Sequence, residues 1–317
     1  MNLILGIGEL LWDMLPDGPR LGGAPANFAV MAGRLGNRAV ILSRLGRDEL
    51  ARQAVDLLTT MPVEAGYLET DPAHETGRVT VSFDTGEPHY IIHEPAAWDS
   101  LALSDEWLQL AEKADAICFG SLAQRNQRSR QTIQTLVAQT PASCIRIFDV
   151  NLRAPFYSTD VLRDSLGLCT VVKMNETEVP LVLELLAIDR PGSSEGELGG
   201  TRPRGEILQR SAAHLLEVFP TLQLVAITRG AKGSLLATRD EWDEHPGFPV
   251  KVADAVGAGD AFTAALAHYL LRGAGLATLN DAGNRWGGWM ASQSGAMPAL
   301  PDAVRDAIAS QVEKAAD

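Results

Sequence analysis

Short apolar runs alternate with longer amphipathic stretches along most of this chain, and that rhythm restricts the fold more than any other feature. Leu3–Ile7, Ala39–Ser43, Ala116–Phe119, Ile145–Val150, Val171–Met174 and Leu224–Thr228 are predominantly apolar and strand-length, the pattern of strands covered on both faces. Between them, Ala26–Leu35, Glu49–Thr59, Arg128–Ala138, Glu178–Leu186 and Ile207–Val218 repeat at the helical period. Parallel neighbours need a long crossover, and a helix is the usual one, so the alternation predicts βαβ units around a mainly parallel sheet. After Asp260 the strand signals stop, and the remainder to Ala316 reads as packed helices.

One region breaks the rhythm. Gly77–Phe83 and His89–His93 alternate at period two across the turn Asp84-Thr85-Gly86-Glu87-Pro88, which predicts a hairpin. With Leu11–Leu21 it would form a small sheet projecting from the body. Asp189–Gly205, dense in Gly, Ser, Pro and charge, reads as a surface loop without chemistry. No internal repeat is visible. The expected organisation is one unit over 1–317, with a body at about 1–10, 22–74 and 100–317 and a β lid at about 11–21 and 75–99.

Charge narrows the partners. The formal net charge of −13 argues against a nucleic-acid or anionic-membrane surface, whose footprint is basic. Cys118, Cys144 and Cys169 are an odd number in apolar stretches and read as buried thiols of a reducing cytoplasm. Glu9 and Asp13 interrupt the apolar N-terminus, which therefore does not read as a signal peptide, and no run of about 18 apolar residues suggests a membrane span.

An acidic protein that binds an anion needs a local device, and Asp254-Ala255-Val256-Gly257-Ala258-Gly259-Asp260 offers one. The run enters the helix-forming stretch from Ala261, whose first N–H groups have no internal partner and whose dipole adds positive charge. Gly257 and Gly259 let an anion approach the main chain without a Cβ in the way. Asp260 would repel phosphate there. Its economical role is a base that takes a proton from a hydroxyl attacking a phosphoryl group. The alternative is an acidic residue that only stabilises the first helical turn. The run is not a Walker loop, since no Gly-Lys-Ser/Thr follows. A second cluster, Gly22-Gly23-Ala24-Pro25-Ala26-Asn27 with Asp13 upstream, combines a carboxylate, an amide and bare backbone, which suit vicinal hydroxyls. A plain strand–turn–helix connection has the same residues.

Taken with other motifs in order, the chain resembles the ribokinase-like family of carbohydrate kinases, and within it the bacterial fructokinases. The matching stretches are Gly8-Glu9 with Asp13, Gly22 to Asn27, Ser43 to Asp48, Ala97-Trp98-Asp99, Phe119 to Arg125 and Phe148 to Arg153. They continue with Lys173 to Glu178, Thr228 to Gly233, Gly257 to Asp260 and Ser294 to Pro298. The resemblance implies a three-layer α/β/α ribokinase-like core with a mainly parallel sheet and a small β-sheet lid. It implies that Asp260 is the catalytic base and that Gly257, Ala258 and Gly259 form the anion hole. Asp13, Gly23 and Asn27 match hydroxyl-binding positions. Asn175 and Glu178 match an Asn-x-x-Glu element that organises magnesium through water and the ATP phosphates, though the same pair suits a capping box. Thr228, Arg229, Gly230 and Gly233 match the nucleotide-side loop, and Asn284 stands at the position near adenine.

Three positions stay open at this level. Trp98 either floors the sugar pocket or fills the core between lid and body. Arg153 either holds a phosphate or an acidic sugar group, or pairs with Asp149. Relatives bind a monovalent cation through Asp254 and backbone carbonyls near Val256, Met290, Gln293 and Gly295, but Ala255 replaces the usual threonine and Ala299 a frequent serine, which puts potassium in question. The expected protein is a cytoplasmic, ATP- and Mg2+-dependent fructokinase, a homodimer through its lid. The runner-up acceptor is 2-keto-3-deoxygluconate, and the rival from another class is a non-catalytic sugar or nucleotide sensor. A dinucleotide enzyme fails because Leu11 stands where the third glycine belongs.

Overall fold

The computed structural model describes residues 1–82, 89–188 and 204–316. Among them, eight strands form one sheet. Leu3–Ile7 lies inside it, flanked by Arg38–Leu42 on one side and Ala116–Gly120 on the other. Beyond Ala116–Gly120 come Ile145–Asp149, Val171–Asn175 and Leu224–Thr228, all parallel. The expected strands are thus present to within one residue at most ends. Ser234–Ala237 and Trp242–His245 then extend the edge antiparallel, two strands that the apolar pattern does not announce.

Side-chain alternation puts a core on each face. Leu3, Leu5 and Ile7 point into one, with Phe119, Phe148 and Met174, under helices that include Gln127–Gln139 and Arg204–Val218. Ile4, Cys118 and Ile147 point into the other, under Ala24–Arg34, Ala258–Leu270 and Leu276–Ala291. This is the expected three-layer architecture. Because the first strand has neighbours reached by opposite turns of the chain, a crevice opens at the carboxyl ends of the strands, where ligands of open α/β sheets bind.

A separate four-stranded sheet runs in the order Gly18–Gly22, Leu11–Leu15, Gly77–Ser82, His89–Ile92. The hairpin is present, while Phe83 and the turn to Pro88 lie outside the described residues. The Asp189–Gly205 loop lies outside them too, except that Arg204 and Gly205 already begin a helix. All three cysteines are free and buried. Among the described residues no helix is long and apolar enough to cross a membrane.

Candidate active site

The Ala258–Leu270 helix begins at Gly257, whose φ of 77° is left-handed, and a Cβ there would come within 3.0 Å of the Ala296 main chain. Only glycine makes that turn cheaply. The Gly259 and Asp260 N–H groups consequently point out of the helix end, as first-turn amides must. Asn27, in the first turn of Ala24–Arg34, donates from Nδ2 to Asp260 Oδ2 at 2.7 Å. The two clusters that the sequence separates by more than two hundred residues therefore meet in one place.

These groups are buried or half-buried. Burial pushes the Asp260 carboxyl up to about 6; the nearby Asp149 carboxylate adds to the rise, while Lys173, the Asn27 bond and Arg153 oppose it. Beneath Gly259, Lys173 Nζ donates to both carboxyl oxygens of Asp149 at 3.1 Å, and Thr263 Oγ1, with one proton to give, lies 2.9 Å from the Gly259 carbonyl and 3.3 Å from Asp149 Oδ2. A Cβ on Gly259 would lie 2.7 Å from Lys173 Nζ. Glu9, only 3% exposed, is pushed up to about 7 by burial, and its Oε2 has no partner in the protein. Asp13, at the edge of the same space, is also raised by burial, with the Arg153 charge opposing and Asp254 adding.

Sequence reasoning gave Glu9 and Lys173 no role. Glu9 is visible as a carboxylate directly after the first buried strand, a costly place for a charge without work. Lys173 is visible as a cation inside an otherwise apolar strand.

The other expected positions divide. Gly23 packs its Cα against the Glu9 carbonyl, 2.3 Å from where a Cβ would stand. Arg153 is exposed and bonds only its neighbour, the Leu152 carbonyl, at 3.1 Å, so it does not pair with Asp149. Trp98 is 0% exposed, with the Arg125 guanidinium 4.0 Å above its ring, and it packs among the core side chains of one sheet face. Asn175 Oδ1 accepts from the Thr177 and Glu178 N–H groups at 2.9 and 3.0 Å, and Glu178 Oε2 accepts from Asn175 N–H at 2.8 Å. That is the reciprocal capping pattern. Glu178 Oε1 also holds Leu152 N–H at 2.8 Å, tying two strand ends together.

Thr228, Arg229, Gly230 and Gly233 follow the Leu224–Thr228 strand into a tight turn. At Gly233, with φ 81°, a Cβ would fall 1.9 Å from the His245 carbonyl. Arg229 is paired with Glu244 and donates to the His245 carbonyl. Asn284 Nδ2 is spent on Ser234 Oγ at 2.7 Å and on the Asn280 carbonyl at 2.8 Å. Asp254 accepts from Arg20, Val256 and Gly295. Among the described residues no group of three or more His, Cys, Asp or Glu is placed to hold a metal. A cavity of about 560 Å³ lined by residues such as Gln124, Arg125 and Tyr157 lies apart from Asp260, Asn27 and Asp13.

What the Asp260 end can do is move a phosphoryl group onto a hydroxyl: N–H dipoles meet its negative charge, and a carboxylate of raised basicity accepts the proton. That defines the class, a phosphotransferase with an alcohol as acceptor. The chain belongs to the pfkB family of carbohydrate kinases, which it matches over residues 19–303. It is a sugar kinase. Its structure superposes on a sugar kinase from Pyrococcus horikoshii with a TM-score of 0.80 at 27% identity, covering 100% of both chains. It is 29% identical over 321 residues to a fructokinase of Escherichia coli, covering 93% of this chain and 95% of that one. A fructokinase from Vibrio cholerae solved with fructose, ADP and calcium matches with a TM-score of 0.77 at 28% identity, covering 97% and 99%. A double mutant of that protein was solved with potassium.

Proposed function

We propose that the protein transfers the γ-phosphoryl group of ATP to D-fructose, giving fructose 6-phosphate. The observation that carries this reading is Asp260, held by Asn27 at 2.7 Å beside the Gly257–Gly259 helix start and raised to about 6. A base is best near the operating pH, and burial moves this carboxylate toward it. Asn27 fixes the carboxylate's orientation through Oδ2 and leaves Oδ1 to face the acceptor hydroxyl. The Gly259 and Asp260 N–H groups receive the charge of the transferring group. Lys173, held by Asp149, supplies a fixed positive charge beneath them. Asp13, Gly23 and Asn27 hold the sugar hydroxyls.

ATP with Mg2+, when bound, supplies the phosphoryl group and neutralises its neighbours. The helix start, with glycines at 257 and 259, fits the phosphate end, and the Thr228–Gly233 turn, Asn175 and Asn284 shape the nucleotide side. Glu178 and Asn175 have their oxygens on backbone amides, so any magnesium here is organised through water, in keeping with that ion's preference.

The small sheet serves as a lid that excludes water, which competes with the sugar for the phosphoryl group. Its Ile91 is 51% exposed, and a symmetric lid-to-lid dimer would cover it. Light scattering checks this: a clean monomer at working concentration refutes the dimer.

The acceptor follows the relatives named fructokinase. The second reading, 2-keto-3-deoxygluconate, rests on the exposed Arg153, whose charge reaches Glu9, Asp13 and Asp260. A coupled ADP-release screen over fructose, ribose, tagatose, adenosine and 2-keto-3-deoxygluconate tests both. Fructose should lead in kcat/KM by at least about tenfold, or 1.4 kcal/mol. If the acidic sugar leads instead, Arg153→Ala should raise its KM selectively; equal rates on all sugars would sink both.

A further inference from the structure

The Arg20 side chain reaches from the small sheet to the loop before Asp260. Its Nη2 donates to Asp17 Oδ2, while its Nη1 donates to Asp254 Oδ2 at 3.1 Å. The same carboxylate accepts from Val256 N–H at 3.0 Å and from Gly295 N–H at 3.2 Å. Asp254 thereby braces the start of the Gly257 turn against the segment that packs on it, since Ala296 is the residue a Gly257 Cβ would strike. Arg20 and Asp254 side chains are 33% and 22% exposed, so the pair is partly sheltered from screening.

A relative has been solved with potassium, and Asp254 is the anion expected to hold such an ion. The residues present do not fit it. A guanidinium, shared with Asp17, already lies 3.1 Å from the carboxylate, both carboxyl oxygens accept N–H groups, and Ala255 offers no hydroxyl. A second cation placed against that carboxylate would be repelled by the first.

We propose that Arg20 stands in for the monovalent cation: it is a positioning residue that holds the Gly257–Asp260 turn and couples it to the small sheet. The register shows how. Asp13 and Arg20 are direct partners in the antiparallel pair Leu11–Leu15 and Gly18–Gly22, so their side chains leave the same face. A sugar that draws Asp13 toward the body carries Arg20 with it and sets Asp254. The inference rests on reading residues 257–259 as the cradle for the transferring group.

The test compares potassium chloride with tetramethylammonium chloride at equal ionic strength. The wild-type rate should agree within about twofold, whereas Arg20→Met should lose about tenfold or more in kcat and recover with potassium or guanidinium ion. Arg20→Lys should keep most of the rate. Hydrogen exchange at residues 256–260 needs no sugar, so it separates this proposal from the choice of acceptor: Arg20→Met should exchange faster there, and potassium should slow it. Severalfold activation of the wild type by potassium overturns the proposal. So does a loss in Arg20→Met that neither cation restores, or exchange that stays as in the wild type.

Discussion

The two ends of the cleft treat polar groups in opposite ways. Around Asp260, charges are gathered in a partly buried space and some are left incompletely satisfied: Asp260 and Glu9 are raised by burial, and Glu9 Oε2 has no protein partner. On the side of Thr228 to Gly233, the polar atoms are spent within the protein. Asn175 and Glu178 cap each other's backbone, Arg229 is tied to Glu244, and Asn284 is tied to Ser234 and Asn280. The first arrangement stores basicity that a reaction can use; the second fixes a shape. Substitutions at the first end should therefore act on the chemical step or on charge balance, and those at the second on stability.

The largest effect belongs to Asp260. Asp260→Asn keeps the size and removes the basicity, so kcat should fall by about 10²–10⁴-fold with little change in KM. A variant keeping more than about a tenth of the activity contradicts the role. The wild-type pH profile gives the sign independently. With the carboxylate as the proposed active form and a value of about 6, kcat/KM should be flat above neutrality and fall about tenfold per unit at lower pH.

Lys173→Met comes next. It strands Asp149 as an uncompensated buried charge, since Asp149 is 3% exposed and Lys173 is its ion-pair partner. Breaking a buried pair on one side costs about 3–5 kcal/mol. Urea unfolding should register a loss of that order, and the double variant with Asp149→Asn should recover part of it. A stability change within about 0.5 kcal/mol, the size of an ordinary surface substitution, would show that the pair is not the support described.

How much of this was legible in the sequence depends on whether the information is local. The first strand, the helix starting at Gly257 and the Asn27 helix are readable because apolar runs, glycines and helix ends are local chemistry. The role of Asn27 at Asp260 depends on a contact across 233 residues, and only the family resemblance brought the two together. The Arg20–Asp254 pair spans 234 residues and left no local trace. Trp98 stayed ambiguous because an indole beside a carboxylate suits a pocket floor and a core equally. Its burial is a property of the fold, which no local stretch of sequence states. Trp242–His245 was missed because Asp243, Glu244 and His245 hide an edge strand behind polar residues.

Glu9 sharpens the contrast by pH. Its folded value of about 7 lies above the ordinary 4.5, so the neutral acid is the form that folding favours. Its contribution to stability is complete below about 4.5 and is lost as pH rises through about 7. Glu9→Gln holds the neutral shape at every pH. Relative to wild type it should gain up to about 3 kcal/mol at pH ~8 and almost nothing at pH ~4, because each pH unit between the two values is worth about 1.4 kcal/mol. Urea midpoints at the two pH values measure it, and a gap independent of pH would mean that Glu9 is not the strained group.

Asn284 should show the smallest effect on the reaction, and it bears most directly on the comparison. Its amide bonds Ser234 Oγ and the Asn280 carbonyl, and the residue is 9% exposed. Asn284→Ala removes a buried donor from that network, while Ser234 Oγ keeps its bond to Asn280 Oδ1, at a cost of about 0.5–1.5 kcal/mol. If the nucleotide side is held by shape, the loss should appear in the urea midpoint, while KM for ATP moves by no more than about threefold, or 0.65 kcal/mol. A rise in KM above about tenfold with an unchanged midpoint would place the Asn284 amide on the nucleotide itself. The network seen here would then have to open on binding, and the nucleotide side would resemble the Asp260 end rather than oppose it.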